Sequence, residues 1–186
     1  MRIFIALELS DEIKGELSRL EGRLKEARAD IKWAKPENIH LTLKFLGDIE
    51  ESNIEEIKNA LGGISSSEKP FEISLFKLGA FPSLNQPRVI WAGIDKGCSE
   101  AENIAARVAD ALKKIGFPKE ERPFSAHLTL GRVKSGKNKA GLKDMLASLE
   151  VRPKSCVINK ITLFQSTLAP NGPIYTPLHE AKFATK

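Results

Sequence analysis

One tetrapeptide occurs twice in this chain, and it constrains the fold more than any other feature. His40-Leu41-Thr42-Leu43 and His127-Leu128-Thr129-Leu130 are identical, 87 positions apart. Both copies lie in β-prone surroundings and soon reach a glycine, Gly47 in the first and Gly131 in the second. A strand turns successive side chains to opposite faces, so each copy sets His and Thr on one face and its leucines on the other. The leucines require burial. The imidazole and hydroxyl, about 7 Å apart along the strand, are left facing something polar. Two of the chain's three histidines begin these copies.

The settings of the two copies also repeat. Alternation predicts a first strand in residues 1–9, with Ile3, Ile5 and Leu7 packed on a helix and Arg2, Phe4 and Ala6 on the other face. That helix is expected from Asp11 to Arg28, capped by Ser10 and opened by Asp11 and Glu12. Ile31 to Ala34 and a turn at Pro36 and Asn38 lead into the first His strand. Ser52 and Glu55 read as a capping box for a second helix, with Ile54, Ile57 and Leu61 inward and Gly62-Gly63 at its end. Strands Phe71 to Leu78 and Arg88 to Ile94 flank a long connection through residues 80–87. Ser99 and Glu102 repeat the capping box for a third helix ending at Gly116. The second His strand, a basic loop from Lys134 to Lys139 and a short helix from Ala140 to Leu149 follow. Strands 156–168 and 174–183 close the chain around Asn171-Gly172, a hairpin signal. No composition break divides the halves. The chain therefore reads as a single domain, residues 1–186, of two pseudo-symmetric lobes whose His-Thr faces meet across a shared cleft.

Composition narrows the class. At 186 residues, with 41% hydrophobic and 28% charged, the chain is an ordinary globular protein with room for a full core. No apolar run approaches the roughly 18 residues of a membrane span, and the N-terminus reads as a strand rather than a leader, so a cytoplasmic location is expected. Cys98 and Cys156 lie far apart, outside any CxxC, and read as two reduced thiols. The net charge of +5 suits an acidic partner such as RNA without specifying one.

Two facing imidazoles supply a general base and a general acid near neutral pH. Two threonine hydroxyls could grip the non-bridging oxygens of a phosphate held between them. Displacement at phosphorus then needs no metal, since donors and imidazolium offset the developing charge. A single His-x-Thr is ordinarily a polar surface pair; identical copies at matching places change that reading. Zinc would want a third ligand, and His179 stands alone near the end, where it reads as a strand surface residue.

The pair His40-Leu-Thr-Leu-Lys-Phe-Leu-Gly47 and His127-Leu-Thr-Leu-Gly-Arg132 resembles the two HxTx motifs of the 2H phosphoesterases. Within them it is similar to the RNA 2′,3′-cyclic phosphodiesterases, also called 2′-5′ RNA ligases, of bacteria and archaea. Arg2-x-Phe4-x-Ala6, Val89 to Gly93, Ser166 and Gly172-x-x-Tyr175 fit the same family. The resemblance implies an α+β, bilobal, duplicated fold: two antiparallel sheets facing a central cleft, with helices outside. It implies opening of an RNA 2′,3′-cyclic phosphate to a 2′-phosphate, His127 taking the proton of water and His40 giving one to the departing 3′-oxygen. Thr42 and Thr129 would bind the phosphate. An RNA 5′-hydroxyl in place of water would give a 2′-5′ linkage. No cofactor and no metal are implied; the partner is RNA with a cyclic-phosphate end, tRNA fragments among the candidates, and the protein a monomer.

Other positions carry two readings. Lys44 lies on the His40 face by alternation, to attract the RNA backbone or stay solvated. Arg132 matches an arginine that follows the second motif, but strict alternation turns it away unless Gly131 permits a bulge. Phe4 would stack a base or fill the cleft floor. Trp91 and Tyr175 read as core or cleft wall, and Lys134, Lys137 and Lys139 as a solvated loop or a guide for RNA. Alternatives in function are a small cyclic nucleotide or 2′-5′ oligonucleotide as substrate, or a non-catalytic module that binds RNA ends.

Overall fold

A computed structural model of the chain, described over residues 1–185, contains two antiparallel sheets. One has the order β3-β1-β8-β9, from β1 (Arg2–Leu7), β3 (Leu41–Asp48), β8 (Lys160–Ala169) and β9 (Gly172–Lys182). The other runs β2-β6-β5-β4-β7, from β2 (Ile31–Trp33), β4 (Phe71–Pro82), β5 (Pro87–Ile94), β6 (His127–Val133) and β7 (Ser155–Ile158). Four α-helices connect them: α1 (Asp11–Lys25), α2 (Ile54–Ser65), α3 (Cys98–Lys114) and α4 (Lys139–Ser148). Among the described residues, no helix is long and apolar enough to cross a membrane.

The halves interlock. The first half gives β1 and β3 to one sheet and β2 and β4 to the other; β5 lies at the boundary in that second sheet, and the second half adds β6 and β7 to it and returns β8 and β9 to the first. The helices cross over too. α1, which follows β1, lies against β7 and α4, and α3, which follows β5, lies against α2 and β3. α1 also lies against the 3-10 turn at Pro36–Asn38, and its Ile13, Leu17, Leu20 and Leu24 share one buried cluster with Ile3, Ile5 and Leu7 of the first strand. Buried side chains of both sheets join one cluster, from Ile3, Ile5 and Leu7 to Leu128, Leu130 and Ile90. Exchange of strands makes one core where consecutive folding of each half would make two.

Several local expectations shift. Ser10 caps α1 through a hydrogen bond from the Ile13 amide, but the helix ends at Lys25, where the chain turns through Arg28 at φ 53°. Neither capping box forms. The chain enters α2 through a 3-10 turn at Glu51–Asn53, which keeps Ser52 inside a helical turn, and Glu55 accepts from Lys58 instead. α3 begins two residues early, from a left-handed Gly97 whose Cβ would clash with the Glu72 carbonyl. Gly62-Gly63 does not end α2, which continues to Ser65 because Ile64 is buried in the core. β4 and β5 extend into half of the expected connection, which carries Phe81 into the sheet beside Gly79.

Candidate active site

The cleft lies where β3 and β6 meet; their Cα atoms approach within 8 Å, one strand from each sheet. The two histidines enter it identically. His40 precedes β3 by one residue and its Nδ1 is 2.7 Å from the Asn38 carbonyl; His127 opens β6 with its Nδ1 2.7 Å from the Ser125 carbonyl. A carbonyl only accepts, so in both rings Nδ1 carries the hydrogen and Nε2 is left for chemistry. Sequence reasoning missed these acceptors, and no residue type signals them, because every residue has a carbonyl.

Register assigns the faces. Ala6 lies opposite Thr42 and also opposite Thr162, so Phe4, Ala6 and Thr42 share the cleft face of the first sheet. Trp91 lies opposite Thr129 and Gly93 opposite His127 on the second. Gly79 faces Trp91, and a Cβ there would stand 2.2 Å from the indole; its absence lets the ring lie flat on the sheet. Thr42 and Thr129 are half-buried, and no side-chain hydrogen bond among the described residues uses their hydroxyls. The third histidine, His179, lies opposite Leu163, which faces the core with Ile5, and so falls outside the cleft.

A bulge follows each tetrapeptide. On β3, Thr42 pairs with Ala6 but Lys44 with Ile5, leaving Leu43 without a partner. On β6, Thr129 pairs with Trp91 but Gly131 with Ile90, leaving Leu130 extra. Each bulge reverses the alternation beyond it. Arg132 thus joins the His127 face, as a bulge at Gly131 required. Gly131 takes the inner face, where a Cβ would meet Ile31 at 2.7 Å and Trp33 at 3.1 Å. By the same device Lys44 leaves the cleft. It is 4% exposed, opposite Ile5, its ammonium donating to the Pro118 carbonyl at 2.8 Å and to Glu120 at 2.9 Å. The expectation that Lys44 attracts RNA from the His40 face is therefore corrected: the residue the bulge delivers to the cleft is Phe45, 64% exposed and 5.9 Å from Phe4.

Phe4 is 2% exposed, so it fills the cleft floor and cannot stack a base. Its ring stacks on His40 at 4.7 Å, and Tyr175 meets His40 edge-on at 5.3 Å, with Phe164 behind. Burial in this aromatic box pushes His40 down to about 4, partly opposed by the Asn38 hydrogen bond. His127 has one aromatic neighbour, Phe81 edge-on at 5.0 Å. It too is lowered, by burial first and then by the nearby Arg132 cation, against the Ser125 hydrogen bond. Burial also raises the Tyr175 phenol. The site therefore offers two neutral imidazoles of unequal dryness, two uncommitted hydroxyls and one guanidinium.

This fold and site define a duplicated phosphoesterase, and the chain belongs to the LigT-like phosphoesterase family, whose description matches residues 7–91 and again 94–175. Each match holds one His-Leu-Thr-Leu copy. Two relatives named RNA 2′,3′-cyclic phosphodiesterase are similar over nearly the whole chain. That of Aquifex aeolicus is 38% identical, covering 97% of this chain and 96% of its own; that of Methanothermobacter thermautotrophicus is 36% identical, covering 96% of each. The crystal structure of TT0787 of Thermus thermophilus superposes with a TM-score of 0.81 at 25% identity, covering 98% of both chains. That of E. coli LigT complexed with 3′-AMP shares the fold, with a TM-score of 0.78 at 23% identity, covering 99% of this chain and 98% of that one.

Proposed function

We propose that this protein hydrolyses RNA 2′,3′-cyclic phosphates to 2′-phosphates with two histidines and no metal. The observation that carries the reading is the doubled site: two imidazoles pinned alike through Nδ1, each beside an uncommitted threonine hydroxyl, where the sheets meet. His127 Nε2 takes a proton from water as the water oxygen bonds to phosphorus. The bond from phosphorus to the 3′-oxygen breaks, and His40 Nε2–H protonates that oxygen. Thr42, Thr129 and Arg132 hold the non-bridging oxygens. An RNA 5′-hydroxyl in place of water forms a 2′-5′ bond with the same proton balance.

The division of roles rests on the resemblance to the family; burial lowers both imidazoles in the free site. Burial holds His40 neutral in the free site well below the ordinary range of histidine. A phosphate anion about 4 Å away contributes on the order of 4 kcal/mol at an effective dielectric of 20, enough to return a strongly lowered imidazole to the neutral range, and the Phe4 face favours the imidazolium. His127 stays beside Arg132, whose cation opposes its protonation. Relatives named for RNA cyclic phosphate, at 36–38% identity, support the substrate class. The reading takes the enzyme as a cytoplasmic monomer, with tRNA fragments among its substrates.

The test is product analysis on a defined RNA ending in a 2′,3′-cyclic phosphate, beside a 2′,3′-cyclic mononucleotide, with and without EDTA. The expected product is the 2′-phosphate isomer alone, formed equally well with chelator. A 3′-phosphate product, or activity lost to EDTA and restored by a divalent ion, would overturn the mechanism.

A further inference from the structure

A groove of about 520 Å³ lies at the end of the second sheet, where β5 begins and β6 ends, and Arg132 lines it. Arg88, Val89, Arg132, Val133, Lys134 and Lys139 are among its walls, and no acidic residue lines it. Arg88, Arg132, Lys134 and Lys139 are exposed, and among the described residues none is held in an ion pair. Lys32 lies opposite Arg132 on the same face and is also exposed, adding a fifth charge beside the path. α4 opens the far wall without an acidic residue in its first turn. Like charges gathered so closely repel one another, and nothing in the fold offsets them.

We propose that this groove is the track for the RNA strand 5′ of the cyclic end. The inference rests on the phosphodiesterase reading and says where the polymer lies once its last nucleotide is between the histidines. Arg132 is the junction. It shares the face of His127 and Thr129, and it also lines the groove, so a strand whose terminal phosphate it touches continues over Arg88, Lys134 and Lys139. Phosphates of a single strand are the occupant that a row of unpaired cations fits, because each contact releases a condensed counterion. The groove lacks exposed aromatic side chains, so it follows the backbone and leaves base sequence unread. The enzyme is thereby built for polymer ends over free cyclic nucleotides, by affinity and not by chemistry.

The variant Arg88→Ser/Lys134→Ser/Lys139→Ser tests this while leaving Arg132 and the histidines intact. With an oligonucleotide ending in a cyclic phosphate, kcat/KM should fall about tenfold at low salt. The slope of its logarithm against log salt should flatten by about 2, from roughly 0.7 per lost contact. With a 2′,3′-cyclic mononucleotide it should not change. Equal losses on both substrates, or none on the oligonucleotide, would overturn the track. Anisotropy of the same labelled oligonucleotide separates the two readings. An unchanged Kd in the triple variant overturns the groove whatever the turnover. Groove-dependent binding by a wild type that turns over neither substrate upholds the track and overturns the catalysis alone.

Discussion

The two lobes carry the same four letters and place them in different surroundings. His40 is boxed by Phe4, Tyr175 and Phe164, while His127 has Phe81 on one side and Arg132 within electrostatic reach. Beyond each threonine a bulge delivers one further residue to the cleft, an exposed phenyl ring at Phe45 and a guanidinium at Arg132. Symmetry thus supplies a pair of identical groups, and the departures from it give them different surroundings. A cleft with an apolar end and a cationic end also fixes the direction in which an asymmetric ligand lies.

Five experiments bear on that contrast. The largest effect belongs to the histidines. His40→Ala and His127→Ala should each lower kcat by about 10²–10⁴-fold with the fold intact by circular dichroism. A phosphodiester with a good leaving group should rescue His40→Ala and leave His127→Ala inactive; rescue of both, or of His127→Ala alone, breaks the assignment of roles. Next come the threonines: Thr42→Val or Thr129→Val removes one donor to a charged oxygen, worth about 1.5–3 kcal/mol, so each should cost roughly 10–100-fold in kcat/KM. Values differing by more than that range between the lobes would show that only one hydroxyl meets the phosphate.

The pH dependence is sharper. Both imidazoles are lowered, so the singly protonated pair that the proposed reaction requires is most populated below the ordinary 6.5 of histidine. The kcat/KM profile should be a bell with its maximum there, and a maximum above about pH 7 would contradict the dry site. Arg132→Ala should raise KM about tenfold and move the alkaline limb upward, since His127 is the less strongly lowered imidazole and the cation that opposes its protonation is gone. An unmoved limb would mean that Arg132 does not reach His127.

Stability follows the same sign. The unfolded chain protonates His40 near 6.5 and the folded chain only near 4, so folding free energy falls as pH drops through that window and is constant below it. The loss is on the order of 3 kcal/mol at about 1.36 kcal/mol per unit. Glu21, raised to about 7 by burial, works in the opposite sense, losing stability as pH rises from about 4.5 to 7. Comparison of urea midpoints of wild type and His40→Asn cancels Glu21, and their difference should change between pH 7 and pH 4. The smallest effect is expected of Phe45→Ala: at 64% exposure it should leave stability within about 0.5 kcal/mol, and a larger loss would show that Phe45 serves the fold and not the cleft.

Much of this was legible in the residues. Alternation and helical spacing place most strands and helices to within a few positions, but 156–168 reads as one strand where the structure has two, β7 and β8, in different sheets; the repeated tetrapeptide singles out both histidines and both threonines. Where reading failed, a nonlocal contact had decided. Ser52 and Ser99 stand correctly spaced for capping boxes, yet the chain enters those helices by a 3-10 turn and a left-handed glycine that suit the packing around them. Phe4 was placed on the right face, but only tertiary burial closed it to a base. Lys44 and Arg132 are the clearest case. Counting by twos misplaces both, and one bulge in each strand corrects both.

The sequence by itself determined which groups the site offers. Two imidazoles and two hydroxyls on leucine-anchored strands follow from the period of a β-strand, which is a property of the backbone alone. Tertiary structure decided everything that depends on which strand lies beside which. The exchange of strands between halves, the bulges that turn Lys44 inward and Arg132 outward, and the dryness that separates the histidines all come from neighbours far along the chain. Pairing and burial are nonlocal, so a local pattern can name the groups in the cleft but not their protonation, their company or the path that leads to them.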